Sequence, residues 1–334
     1  MGGGVTLPYN KSGINLYEFL HKSNLAHPLD FCKNDIDLGF ESRRNVYINP
    51  SSYTTFIQAD LSAKDTIRTI FNSFDIYAVL HFAAFAYVGE SVQDPCKYYR
   101  NNIANTINLL EIMRECGCKN IIFSSTCATY GNPLHLPIME SHPQNPINPY
   151  GYSKLVVEQI LRDFSLAYNF RYVILRYFNA AGASMLFNIG ESHNPETHVI
   201  PLVIQTALQK RDFFSVFGND YPTRDGTCIR DYIHVDDLAS AHVLALKYLQ
   251  NGGDSNIFNL GNGDGFSVFE ILDCVERITN NQIPHKIEQR REGDPAILIG
   301  DSTRAREILH WNPQFFELEH IIQSAFKWHS NARY

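Results

Sequence analysis

Tyr150-Gly-Tyr-Ser-Lys154 sets a phenol and an ammonium four residues apart. On a helix that spacing puts both groups on one face. An ammonium beside a phenol favours the phenolate and brings the tyrosine down from about 10, so that it can act as a base near neutral pH. Of 18 Tyr, only Tyr150 has Lys four residues later, although chance alone supplies about 0.6 such pairs at this composition. Taken alone, the pair reads equally well as a surface helix contact. Ser124-Ser125-Thr126 adds hydroxyls just after an apolar run, where a side chain reaches a ligand at the carboxyl edge of a sheet.

The elements that must position these groups follow from the hydrophobic pattern. Strands are expected over 53–59, ending at Asp60, and over 77–82, 120–125 and 171–177. Helices are expected between them: one opened by Ser62 with Asp65 as a variant capping box, a long amphipathic one over 94–116, and one over 150–168. Strands alternating with helices predict an α/β fold, a Rossmann-like doubly wound parallel sheet with ligands at the carboxyl ends of the strands. After Asn179 the rhythm changes, with Gly, Pro and His between 180 and 198, then helices over 199–210, 236–249 and 266–278. A loose boundary near 180 divides a Rossmann-like domain, 1–180, from a smaller C-terminal α/β part, 181–334, that closes over the sheet edge.

Composition excludes several classes. The 334 residues are 44% hydrophobic and 19% charged, enough apolar material for a large core and too much for a disordered chain. The net charge is −7 and no basic run stands out, so no nucleic-acid partner is expected. No apolar stretch approaches the roughly 20 residues that span a bilayer, and Met1-Gly2-Gly3-Gly4 is not a signal peptide, so a soluble cytoplasmic protein is expected. Seven Cys form no disulfide framework, and Cys116-Gly-Cys118 lacks a second ligand pair, so no metal is expected.

Context narrows the reading further. His81-Phe-Ala-Ala84, Val88-Gly-Glu-Ser91, Phe123-Ser-Ser-Thr126, Tyr130-Gly131, Pro149-Tyr-Gly-Tyr-Ser-Lys154, Arg176-Tyr-Phe-Asn179, Phe217-Gly-Asn-Asp-Tyr-Pro222, Asp225-Gly-Thr-Cys-Ile-Arg-Asp-Tyr-Ile-His-Val235 and Arg291-Glu-Gly-Asp-Pro295 occur in order over residues 53 to 330. Together they resemble the UDP-glucose 4-epimerase branch of the extended short-chain dehydrogenase/reductase family. The resemblance implies NAD as cofactor, UDP-galactose and UDP-glucose as substrates, and a homodimer built on the helices over 94–116 and 150–168. It implies inversion at C4, with Tyr150 removing the 4-hydroxyl proton while hydride passes to NAD and returns to the other face of the sugar. Position by position, Tyr150 matches the base, Lys154 its partner and Thr126 the hydroxyl that steadies the 4-oxygen. Asp60 and Leu61 match residues beside the adenine. Phe82, Ala83, Ala84, Asn101 and Ser124 fall along the NAD path, and Phe178 lies near the nicotinamide. Asn179, His198, Val199, Ser215, Val216 and Phe217 correspond to the nucleotide-sugar pocket. Arg230 and Arg291 suit the diphosphate and Asp294 the ribose.

Four departures stand beside the resemblance. Ala86 replaces a cofactor-holding Lys, His198 replaces a substrate-contacting Asn, and Leu298 falls where residue size governs entry of N-acetylated sugars. The fourth is the start: residues 1–50 hold no G-x-G-x-x-G or G-x-x-G-x-x-G turn. Poor retention of NAD is therefore expected, although Gly2 to Gly4 can imitate the turn; the rival reading is a real variant with a rearranged start that uses Asp35 or Asp37 for the adenosine ribose. A frame disturbance before Tyr17-Glu-Phe-Leu20 would explain the departure. The relative within the fold, a 4,6-dehydratase, needs Asp-Glu after the active-site Thr, where this chain has Cys127-Ala128. The reading from a different class is a non-catalytic nucleotide-sugar-binding protein; NAD content together with UDP-galactose conversion separates the two.

Overall fold

The computed structural model describes residues 4–5, 55–291 and 294–331. At its centre four parallel strands run in the spatial order Asn256–Leu260, Arg171–Tyr177, Asn120–Thr126, Ala78–His81. Every residue of Asn120–Thr126 is buried, as a near-continuous apolar strand covered on both faces requires. Its neighbours alternate between the two faces. Ile121 and Phe123 pack with Ile174 against Leu110, Met113, Val157 and Leu161. Ile122 packs with Val173 and Leu175 against Leu238, Ala241 and Leu249 on the other side. The sheet is doubly wound. The register sets Ser125 beside Arg176 and Thr126 beside Tyr177, so the polar ends of both strands meet at one edge.

The chain past residue 180 returns to this sheet through helix Val235–Gln250 and strand Asn256–Leu260. The change of rhythm near 180 is thus not a cut through the packing. A separate core joins helices Val199–Ala207, Val268–Thr279 and Leu318–Ser330 with strand Phe214–Phe217. Beside it, Ile229–Arg230 lies between Phe266–Ser267 and Ile297–Leu298, with Arg230 opposite Leu298.

Several elements differ locally from expectation. Of the strand over 53–59, only Ala59–Asp60 is paired among the described residues, and its partner, Gly4–Val5, runs antiparallel. Ser62 does not cap a helix. Asp60 takes the Ser62 amide at 2.8 Å, the helix begins at Lys64, and Asp65 turns to Arg68 at 2.8 Å instead of completing a capping box. The long helix over 94–116 is three pieces, Pro95–Tyr98, a π-helical stretch Tyr99–Ala104 and Asn105–Glu115, preceded by a helix Val88–Gln93. Asp94 caps the first piece by accepting the Lys97 amide at 3.1 Å, with Pro95 in its first turn. By contrast the helix Pro149–Tyr168 forms as expected. Asn148 accepts the Gly151 amide at 2.8 Å at its start, and Asn169 ends it at φ 59°. The helix over 199–210 stops at Ala207, and that over 266–278 starts at Val268, because Ser267 and Glu270 build a capping box there. Tyr17, Asp35, Asp37 and Gly2 to Gly3 lie outside the described residues.

Candidate active site

The strand Asn120–Thr126 and the helix Pro149–Tyr168 bring the hydroxyl, phenol and ammonium groups to the carboxyl edge of the sheet. Lys154 is buried there; its Nζ donates to the Ser124 carbonyl at 2.7 Å and lies 4.9 Å from the Phe123 ring centre. Burial pushes its ammonium down to about 7, against the upward pull of Glu158 one turn along. The same burial, with the Lys154 charge, holds His81 down to about 3.

Tyr150 keeps part of its ring exposed while its hydroxyl lies deep. That burial, with Tyr177 nearby, raises the phenol well above its ordinary value, and the Thr126 hydroxyl pulls the other way. Here the structure corrects the sequence argument. The neighbours that act on the phenol are Tyr177, Thr126 and Cys127, while the Lys154 ammonium is engaged by a carbonyl and by Glu158. Glu158 itself is held by Arg176 through Nε at 2.9 Å and Nη2 at 2.5 Å, and by the Ser125 hydroxyl at 2.6 Å. Arg176 Nη1 continues to the Tyr130 hydroxyl at 2.8 Å, which donates to Asn259 at 2.6 Å. None of these partners is visible as a local sequence pattern.

The residues expected along the cofactor path are unequal in what they offer. Phe82 stacks 4.7 Å from His242, and Ala83 packs against the core beside the sheet. Ala84 remains part-exposed. Asn101 donates to Asn102 at 2.9 Å, and it is Asn102 that clamps the turn, bonding both backbone groups of Phe85 and Ser153 Oγ at 2.9 to 3.0 Å. Both amides lie in the π-helical stretch Tyr99–Ala104. The Leu61 side chain belongs to the core, leaving its backbone to face a ligand. The donor set fits the hydroxyl-bearing end of a dinucleotide. A buried ammonium has three donors, of which Lys154 gives one to Ser124, and the small Ala83 and Ala84 leave the strand end open.

The nucleotide side is built differently. Arg230 Nη2 pairs with Asp294, and the Arg291 guanidinium lies 4.0 Å over the Phe217 ring. Ser215 and Phe217 are part-buried on one strand, but Val216 between them is 0% exposed and faces the core, so its side chain meets no ligand. Asn179 donates to the Asp231 carbonyl at 2.9 Å. Phe178 and Leu298 share a cluster with Cys127, Tyr130 and Ile138, and a Cβ on Gly300 would fall 2.3 Å from Phe178. Val199 begins its helix against the C-terminal core, and His198 is engaged by Glu191 and Glu196. Asp231, unassigned from sequence although it follows Arg230, accepts the amides of Asn262, Gly263 and Gly300 at 2.9, 3.2 and 3.2 Å. Burial pushes its carboxyl up to about 7 in spite of those amides.

Comparison with known proteins accords with this arrangement. A profile of the family described as "NAD dependent epimerase/dehydratase family" matches residues 18–261. A UDP-glucose 4-epimerase from Lacticaseibacillus casei is 48% identical over 276 residues, 83% of this chain and 83% of that protein. The crystal structure of UDP-glucose 4-epimerase from Brucella ovis in complex with NAD aligns with a TM-score of 0.80 at 47% identity, over 82% of this chain and 85% of that one. The UDP-Glc/GlcNAc 4-epimerase from Campylobacter jejuni aligns with a TM-score of 0.71 at 45% identity, over 81% and 82%. The chain belongs to the NAD dependent epimerase/dehydratase family.

Proposed function

We propose that the chain interconverts UDP-galactose and UDP-glucose by inversion at C4. The observation that carries this reading is the meeting of Tyr150, Thr126 and Lys154 at one sheet edge, in a chain 48% identical to a UDP-glucose 4-epimerase. Bound NAD supplies a reversible hydride acceptor for the sugar. Tyr150 moves the proton of the 4-hydroxyl and Thr126 steadies that oxygen. The depth that raises Tyr150 must be offset for it to act as a base, which requires the Lys154 ammonium, held at the Ser124 carbonyl, to act across to the phenol. Lys154, Ser124, Phe178, Phe82, Ala83, Ala84 and Asn101 hold the nicotinamide half of the cofactor, and Asp60 and the Leu61 backbone the adenine half.

Residues 181–334 supply most of the nucleotide-sugar contacts. Arg230 and Arg291 take the diphosphate, Asp294 the ribose, and Asn179, His198, Val199, Ser215, the Val216 backbone and Phe217 line the rest. Elimination is disfavoured, because Cys127-Ala128 follows Thr126 and brings no acid. N-acetylated UDP-sugars are the second reading, favoured by the likeness to the Campylobacter jejuni enzyme, with Leu298 beside Phe178 as the gate. A homodimer fits Val88, Val92, Tyr99 and Tyr152, apolar side chains exposed around the two helices at issue; light scattering gives its mass. No helix among the described residues is long and apolar enough to cross a membrane, and six free thiols among those residues fit a reducing cytoplasm. The test is direct: purified protein is assayed for bound nicotinamide and for conversion of UDP-galactose. Conversion with NAD bound supports the reading; UDP binding without conversion supports a non-catalytic binder.

A further inference from the structure

The segment between strand Ile189–Gly190 and helix Val199–Ala207 carries Glu191, His193, Glu196 and His198 within eight residues. One donor atom from each lies within 4.8 Å of the other three. His193 Nδ1 and His198 Nδ1 both stand 2.8 Å from Glu191 Oε1. His198 Nδ1 is 3.0 Å from Glu196 Oε1, and His193 Nδ1 is 3.7 Å from Glu196 Oε2. A tetrahedral zinc ion with bonds of about 2.0–2.1 Å separates its ligand atoms by about 3.3 Å. The observed spread brackets that value.

Two further observations set this group apart from a surface ion-pair cluster. The side chains of Glu191, His193 and Glu196 are only 13%, 13% and 6% exposed, with His198 at 47% on the open side. His193 Nδ1 is fully covered, and Glu191 Oε1 stands 2.8 Å from it. Both imidazole nitrogens close on one carboxylate oxygen, as ligands grouped around one centre do.

We propose that Glu191, His193, Glu196 and His198 bind one divalent cation of the zinc class. Two neutral imidazoles and two carboxylates make a borderline donor set suited to zinc, and they leave its charge balanced. Four protein ligands close the coordination shell, so the ion is structural and takes no part in the C4 chemistry. Its effect is to lock a loop that touches three other parts of the fold. Trp328 Nε1 donates to the Glu191 carbonyl at 2.8 Å, the Tyr87 ring lies 6.0 Å from His193, and His198 leads directly into helix Val199–Ala207.

The experiment uses the full chain, freed of metal with a chelator and titrated with zinc chloride by calorimetry. Zinc-edge X-ray absorption is then recorded on the loaded protein. The expected result is one zinc per chain with Kd below ~1 μM, a first shell of nitrogen and oxygen without sulfur, and a higher Tm when loaded. The double variant His193→Ala with Glu196→Gln should weaken binding by about a hundredfold or more, and His285→Ala should leave it unchanged. No uptake, sulfur in the shell, or undiminished affinity in the double variant would overturn the proposal. The absorption spectrum of the unaltered chain decides even where the variant fails to fold.

Discussion

The two ends of the candidate active site hold their charges in opposite ways. At the catalytic end Glu158 and Arg176 are 0% and 1% exposed, paired with each other and hydrogen-bonded on through Ser125 and Tyr130. At the nucleotide end the Arg230–Asp294 pair is partly open to solvent, and Arg291 rests on an aromatic face. A buried charge without its partner is severely destabilising, whereas a rim charge can change partners at small cost. The catalytic end is therefore scaffold as much as chemistry. At the other end Arg230 and Arg291 hold partners, Asp294 and Phe217, that the proposed diphosphate contacts would replace.

The largest consequence of that contrast is in stability. Glu158→Gln leaves Arg176 buried and uncompensated, and should cost about 3–5 kcal/mol in urea unfolding. Arg291→Ala should cost less than ~1 kcal/mol in the same assay. Equal losses would erase the distinction between the two ends. Next in size is Tyr150→Phe, expected to lower turnover by about a hundredfold or more while UDP affinity stays within a factor of about two. Turnover near that of the unaltered chain would remove Tyr150 from its role.

Smaller effects sharpen the nucleotide end. Arg291→Ala should weaken UDP binding by about tenfold, read by calorimetry, with the slope against salt reduced. Leu298→Cys should raise kcat/KM for UDP-N-acetylgalactosamine relative to UDP-galactose by about tenfold; an unchanged ratio would show that Leu298 is not the gate. The smallest effect lies in pH. Burial holds His242 neutral, down to about 4, while in the unfolded chain it titrates near 6.5. The unfolded state binds the extra proton, so this contribution to stability is present above 6.5 and is lost as pH falls toward 4. Between pH 7.5 and 6 the loss amounts to about 0.8 kcal/mol, which His242→Leu should abolish in paired urea titrations.

What the sequence made legible was whatever is written locally. The strand Arg171–Tyr177 and the helix Pro149–Tyr168 carry their own apolar runs, and the helix also carries its own caps. Arg176 and Glu158, 18 residues apart, meet only because strand and helix pack, so no pattern announces them. Likewise the Asp60 turn replaces the expected Ser62 cap through one carboxylate reaching two residues along. Leu61 and Val216 show another limit. Resemblance transfers a position, but not whether its side chain or its backbone faces the ligand. The Glu191 to His198 group has a legible spacing, E-x-H-x-x-E-x-H, but contains no cysteine to mark it as a metal-ligand pattern.

The strict alternation along Asn120–Thr126 carries a consequence for tolerance to change. Ser125 serves Glu158, while Thr126 acts on Tyr150, one residue away on the same strand. A deletion of a single residue upstream of Ile121 would exchange these duties. A hydroxyl would remain before Glu158, now from Thr126, but Cys127 would bring a thiol before the phenol. The strand's coding is thus phase-sensitive: substitutions degrade it by degrees, whereas a one-residue shift trades reagent for support everywhere at once.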